Sequence, residues 1–326
     1  MQNAADSIER LFNGDRRIVA RAISQVENGT ARANEILKGV YARTGRAYRL
    51  GITGPPGAGK STLTNKLARH YRSNGFTVGI IAVDPTSPFT GGALLGDRVR
   101  MSDVELDDGV FIRSMASRGS LGGLSKKAKE AADVLDAAGY DIVMLETVGV
   151  GQSELDIAGA ADTTIVVLVP ESGDGIQAMK AGLMEIADFF VLNKADRPGA
   201  DQAVMSLKMI LGFRSHDAES WIADVVKTQA NEGKGIEEVA AMVKNHRSWL
   251  ETTGTLSKRR RIRLERRIRE IIEDQLHSEF WDSQRSSELH EKLDLLLQRQ
   301  TNPYDVAAGL LQHFRTKGTR TEATQG

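Results

Sequence analysis

The sequence contains no cysteine, only seven prolines, and aromatic residues at 5 % of its 326 positions. The missing cysteine excludes disulfides, thiolate zinc sites and cysteine nucleophiles, and it fits a reducing compartment. No segment supplies the ~20 consecutive apolar residues that span a bilayer. The first residues, Met1 to Asp6, lack a basic region followed by an apolar one, so a secretory signal is not expected. The chain reads as cytoplasmic, with no membrane partner. Charge of one sign is absent too: 43 Lys and Arg balance 43 Asp and Glu. That balance argues against a nucleic-acid partner held by overall charge.

Glycine is abundant, at 32 residues, which points to tight turns within regular structure. The length suggests one large domain or two smaller ones, at ~100–200 residues each. Three zones follow. Residues 1–47 read as a helical extension. Asp15 caps one helix, ended by Asn28 and Gly29, and Thr30 caps a second. Residues 48–252 alternate short apolar runs with helical stretches. The runs lie at 48–53, 78–83, 110–113, 142–146, 164–169, 189–193 and 221–226. Several are apolar at consecutive positions, as strands covered on both faces are. This predicts an α/β fold with a mainly parallel central sheet. Residues 253–326 form a C-terminal helical arm. Its basic cluster at 258–269 is interleaved with isoleucines and glutamates, which favours a solvated helix face. Asn302 and Pro303 break the arm, and a polar tail starts at Thr316.

Residues 54–61 read Gly-Pro-Pro-Gly-Ala-Gly-Lys-Ser, matching G-x-x-x-x-G-K-[ST] between a strand and a helix. Gly54, Gly57 and Gly59 let successive N–H groups turn toward phosphate oxygens, and the following helix offers its positive end. Ala58 in the loop and Thr62 at the start of the helix are further nucleotide-binding candidates. Lys60 supplies a mobile charge for the β- and γ-phosphates, and Ser61 a hydroxyl for Mg²⁺. The fold expectation is therefore a P-loop NTPase. Glu146 ends an apolar run, where a magnesium-organising carboxylate is expected. Gly149 lies three residues on, placed for a γ-phosphate contact. Asp84 and Asp97 bound a Gly/Ser/Thr/Pro segment and are further candidates to reach the metal. Asn193, Lys194, Ala195 and Asp196 match N-K-x-D. The Asp196 carboxylate answers the adjacent N–H donors of guanine, which adenine lacks. Asn193 would tie the base loop to the phosphate loop, and the stem of Lys194 would lie over the base. Gln229 and Ala230 form a further base loop.

Residues 54–61, 84–101, 145–154 and 193–196 together resemble the methylmalonyl-CoA mutase-associated GTPases of MeaB/ArgK type. The run Glu-Thr-Val-Gly-Val-Gly-Gln-Ser at 146–153 is its most specific part. The resemblance implies a homodimeric P-loop GTPase, binding GTP, GDP and Mg²⁺, that chaperones an adenosylcobalamin-dependent acyl-CoA mutase. It implies gated cofactor loading and protection of the mutase. It also implies that Lys60, Asp97, Glu146 and Lys180 act in catalysis, that residues 170–177 form a switch containing Asp174, and that the C-terminal arm dimerises. No glutamine directly follows Gly149 to orient water; Gln152 comes three residues later. No arginine is assigned as a finger in cis, although Arg113 and Arg118 flank one loop. Slow turnover accelerated by the partner is therefore expected. The six histidines show no metal-ligand spacing, which argues against metal delivery. The alternatives are a nucleotide-dependent kinase of ArgK type and a GTP-binding module without significant hydrolysis.

Overall fold

The computed structural model describes residues 2–84, 104, 106–116, 126–147, 156–172, 181–213 and 220–322. Asp97, Gly149, Lys180, Asp174, Gln152 and Arg118, and the side chain of Asp84, lie outside the described residues. Chain contacts divide the protein into two compact units, Met1–Arg259 and Arg260–Gly326.

The first unit is built on a seven-stranded, all-parallel sheet in the order β3-β2-β4-β1-β5-β6-β7. The strands are β1 (Tyr48–Thr53), β2 (Val78–Asp84), β3 (Val110–Ala116), β4 (Ile142–Thr147), β5 (Thr163–Leu168), β6 (Phe189–Leu192) and β7 (Val225–Lys227). Every residue of β1, β4, β5 and β6 is buried, as the consecutive apolar runs require. The 221–226 run is corrected: Trp221 and Ile222 precede the strand, and Trp221 Nε1 donates to the Asp188 carbonyl at 2.6 Å.

Alternation along the strands splits the core between two faces. Ile80, Met144, Ile165 and Val191 pack with helices α4 (Lys60–Ser73) and α8 (Ile236–Thr252). Ile81, Val143 and Leu145 face helices α2 (Arg16–Glu27), α3 (Ala31–Val40) and α5 (Lys126–Ala137). Val166, Phe190 and Leu192 meet α6 (Ala181–Ile186) and α7 (Ala200–Gly212). Each large aliphatic side chain so buried contributes ~1.5–3 kcal/mol over an exposed one.

The N-terminal segment holds one more helix than expected, α1 (Gln2–Phe12). Asp15 caps α2 through the N–H groups of Arg17 and Ile18. Thr30 stands at the start of α3 without a side-chain cap bond, because its hydroxyl reaches back to the Gln25 carbonyl instead. Asp136 clamps this layer to the sheet. Its buried carboxylate accepts from the N–H groups of Gly45 at 2.7 Å and Ala47 at 2.9 Å, and from the Arg49 guanidinium. A buried carboxylate is retained only where such partners replace water.

Helix α9 (Thr255–Phe280) runs from the first unit into the second, followed by α10 (Ser283–Leu297) and α11 (Pro303–Glu322). The helix continues to Glu322, into the polar tail expected from Thr316. Within the second unit Arg285 is buried, donating to the carbonyls of Glu279 and Phe280 and lying 5.2 Å from the Phe314 ring centre.

Candidate functional site

In an open parallel sheet, ligands bind outside the carboxyl ends of the strands where the chain order reverses. Here that point is β1, between β4 and β5. The phosphate loop, 54–59, leaves β1 there and enters α4. Gly54 has φ +132, and a Cβ on it would stand 2.1 Å from the Val167 carbonyl oxygen. Only glycine permits this approach to β5. Lys60, 6 % exposed, donates from Nζ to the carbonyls of Gly54 at 2.8 Å and Pro55 at 2.9 Å. The cation therefore lies over its own loop.

Ser61 Oγ donates to Glu146 Oε1 at 2.6 Å, linking the first turn of α4 to the end of β4. Glu146 is 4 % exposed. Thr147 and Thr53 join the ends of β4 and β1 through their hydroxyls at 2.9 Å. A hydroxyl and a carboxylate this close form an oxygen donor set of the kind Mg²⁺ prefers. The backbone of Asp84 ends β2 one residue beyond the pairing of Ala82 with Glu146 and Val83 with Thr147.

Asn193 follows β6 and is 3 % exposed. Its Nδ2 donates to the Ala58 carbonyl at 2.8 Å, and its Oδ1 accepts from Ala230 N at 3.0 Å and Thr228 Oγ1 at 3.1 Å. Lys194 has φ +57, which is uncommon outside glycine, and its Nζ donates to the Gly57 carbonyl at 2.8 Å. The lysine stem thus crosses from the base loop to the phosphate loop. Ala195 N donates to the Thr228 carbonyl, fixing Asp196 beside the loop after β7.

These groups enclose a cavity of about 290 Å³. Gly57, Gly59 and Thr62 form one end; Asn193, Lys194 and Asp196 form a wall; residues 229–232 form the other. Asn231 and Glu232 belong to this lining, and sequence reasoning missed them. The glycines at 233 and 235, both at positive φ, are the one local hint of the turn that brings them in. Lys234 donates to Glu232 at 2.6 Å, and this bond, aided by the charge of Asp196, holds the ammonium above its usual pKa. Lys60, Ser61 and Glu146 meet beside the same loop. Arg113 does not join them: its guanidinium donates to Ser24 and Glu27 on α2. No arginine among the described residues lines the cavity.

At the opposite end of the sheet, Asp188 gathers partners. His246 stands 3.3 Å away and Arg259 2.8 Å away, while Thr164 N donates to its Oδ2. Arg259, read from sequence as part of a solvated basic face, is thereby anchored at the start of α9. Burial pushes the His246 pKa down to about 4, against the opposing pull of Asp188.

Comparison with known proteins agrees with this geometry. The family model described as methylmalonyl Co-A mutase-associated GTPase MeaB matches residues 19–285. A Pyrococcus abyssi protein named as a GTPase is 50 % identical over 309 residues, covering 94 % of this chain and 95 % of its own. The GTPase ArgK of Escherichia coli is 38 % identical over 259 residues, 77 % of this chain and 78 % of its own. A crystal structure titled LAO/AO transport system kinase superposes with a TM-score of 0.72 at 28 % identity, covering 95 % of this chain and 97 % of that one.

Proposed function

The chain belongs to the methylmalonyl-CoA mutase-associated GTPase family MeaB, and from that premise we propose that it is the GTP-hydrolysing chaperone of an adenosylcobalamin-dependent acyl-CoA mutase, gating cofactor loading and protecting the mutase. Guanine-nucleotide binding and GTP hydrolysis belong to the family and to its relatives named as GTPases. One observation carries the reading: a single cavity runs from the phosphate loop to the Asp196 carboxylate. In it Asp196 receives the two donors of guanine, Lys194 flanks the base, and residues 229–232 close the far side. Gly54, Gly57, Ala58, Gly59 and Thr62 cradle the phosphates, and Lys60 shifts its ammonium from the loop carbonyls to phosphate oxygens.

Ser61 and Glu146 have the donor chemistry to hold Mg²⁺, with Asp84 and Asp97 as further carboxylates in the same proposal. The ion, when bound, would neutralise charge on the β- and γ-phosphates. Gly149 keeps the γ-phosphate contact expected from its place after Glu146, and Lys180 and Asp174 keep the roles that the family resemblance implies. Arg113 is held by Glu27 and no arginine among the described residues lines the cavity, in keeping with slow intrinsic turnover raised by the partner. Dimerisation through the C-terminal arm is supported by α9, which buries none of its residues and exposes Ile262, Ile268, Ile272 and Leu276. In this reading the protein works in the cytoplasm.

Phosphate release from GTP and from ATP, with and without methylmalonyl-CoA mutase from the same organism, tests the proposal. GTP should be preferred, and the mutase should raise turnover, up to the roughly 10³–10⁵-fold that a supplied catalytic charge gives. Turnover indifferent to the mutase would remove the chaperone role. Preference for ATP would favour the kinase reading suggested by the name of the structural relative. Binding without phosphate release would leave a nucleotide-dependent module.

A further inference from the structure

The pairing of β1 with β4 runs from Tyr48 with Ile142 to Ile52 with Glu146 and stops there. The next two residues join the strands by side chain instead: Thr147 Oγ1 donates to Thr53 Oγ1 at 2.9 Å. Both threonines are buried, at 0 % exposure for Thr53 and 1 % for Thr147. The bond falls where each chain leaves the sheet. Thr53 is the last residue of β1 before Gly54 and the phosphate loop, and Thr147 is the residue of β4 directly after Glu146.

Successive residues of a strand point to opposite faces of the sheet. Glu146 shares the face of Met144 and Ile52, and there its Oε1 accepts from Ser61 on α4. Thr147 shares the opposite face with Val143 and Leu145. On its other edge Thr147 pairs with Val83 of β2, so the hydroxyl bond governs how far the end of β4 stands from β1. That separation decides how Glu146 is presented to Ser61. The phosphate loop has ties of its own: Gly54 lies against the Val167 carbonyl, the Ala58 carbonyl accepts from Asn193, and the Gly57 carbonyl accepts from Lys194. Stability alone does not call for two hydroxyls here, because a pair of apolar groups of the same shape fills such a place about as well.

We propose that Thr147, acting through Thr53, is a positioning residue for Mg²⁺ at the nucleotide site, on the reading that Ser61 and Glu146 hold the ion. The hydroxyl pair keeps the Glu146 carboxylate at the Ser61 hydroxyl, so that the two oxygens stay together beside the phosphate loop.

Release of a fluorescent N-methylanthraniloyl GDP from the full chain, followed across a Mg²⁺ titration, tests this without hydrolysis. Mg²⁺ should slow release from the parent. The double variant Thr53→Val with Thr147→Val removes both hydroxyls and keeps both shapes, so it should melt within a few degrees of the parent. It should nevertheless need about three- to tenfold more Mg²⁺ for the same slowing, which is what one hydrogen bond is worth. Thr147→Val alone should shift the requirement in the same direction, and Thr147→Ser, which keeps the hydroxyl, should hold the parent's value. With the metal chelated, GDP affinity should stay within about twofold in every variant, because the ties of the phosphate loop are untouched. An unchanged Mg²⁺ requirement in the double variant, a Thr147→Ser protein as impaired as the double variant, or an equal loss of GDP affinity with the metal chelated would each overturn the proposal. A parent protein whose GDP release ignores Mg²⁺ would remove the metal reading itself, and the positioning role with it.

Discussion

Asn193 donates from Nδ2 to the carbonyl oxygen of Ala58 at 2.8 Å, so the loop that reads the base and the loop that holds the phosphates form one hydrogen-bonded body. Replacing Asn193 with alanine leaves the Ala58 carbonyl, the Ala230 N–H and the Thr228 hydroxyl without this buried partner. An unsatisfied buried group costs about 1–3 kcal/mol. Denaturant unfolding should show a loss of at least that size, and GDP titration a larger one. Unchanged GDP affinity would show that the two loops are positioned independently.

Asp196→Asn exchanges a carboxylate with two acceptors for an amide with one acceptor and one donor. Hydrogen bonds to charged groups are worth about 1.5–3 kcal/mol, so GTP affinity should fall about 10- to 100-fold. Xanthosine triphosphate, with a carbonyl in place of the guanine amino group, should gain relative to GTP. Competition binding reads both effects, and an intact guanine preference would remove Asp196 from base recognition.

Two loop glycines should respond differently to alanine. Both have positive φ, +75 at Gly57 and +88 at Gly59. A Cβ on Gly57 meets nothing within 4 Å, whereas one on Gly59 would stand 2.3 Å from Asn193 Nδ2. Gly57→Ala should cost the conformational strain alone, about 1–2 kcal/mol. Gly59→Ala should also displace Asn193 and abolish nucleotide binding. Thermal melts with and without GDP distinguish the two.

Lys60→Ala should leave the fold intact and remove GTP turnover. Its ammonium donates to the loop carbonyls of Gly54 and Pro55, and its charge is what the phosphates require. Wild-type phosphate release from this variant would exclude Lys60 from the site.

His246 should make stability depend on pH. Its folded pKa is about 4 against 6.5 for the free side chain. Between these values the unfolded chain binds a proton that the folded chain refuses, so unfolding is favoured as pH falls. Stability is unaffected above pH 6.5, declines below it, and has lost of order 3 kcal/mol by pH 4. Urea unfolding from pH 7.5 down to 4.5 should show this slope, and His246→Gln should flatten it.

Much of the fold was legible because the buried strands announce themselves as consecutive apolar residues, Thr164 to Val169 being the plainest. Trp221 misled for a local reason: its apolar ring packs beside His246, 4.7 Å between centres, while its N–H goes to the Asp188 carbonyl, so the apolar run was not strand. Arg259 misled in the opposite sense. A basic cluster gives no local sign that one of its members will reach a carboxylate 71 positions away.

The sequence by itself determined the chemistry carried by contiguous residues: the glycine turn with Lys60 and Ser61, the Asn193 to Asp196 base loop, and the cap at Asp15. These depend on backbone conformation and side-chain type over a few positions, which local order fixes. The tertiary structure alone decided that Ser61 meets Glu146 across 85 residues and that Asn193 meets Ala58 across 135. It also left the Tyr71 hydroxyl buried with no partner among the described residues. Those relationships follow from the strand order β3-β2-β4-β1-β5-β6-β7, which sets β1 between β4 and β5 and brings distant strand ends to one edge. Only burial of both sheet faces stabilises that order, and burial is a property of the assembled layers rather than of any segment.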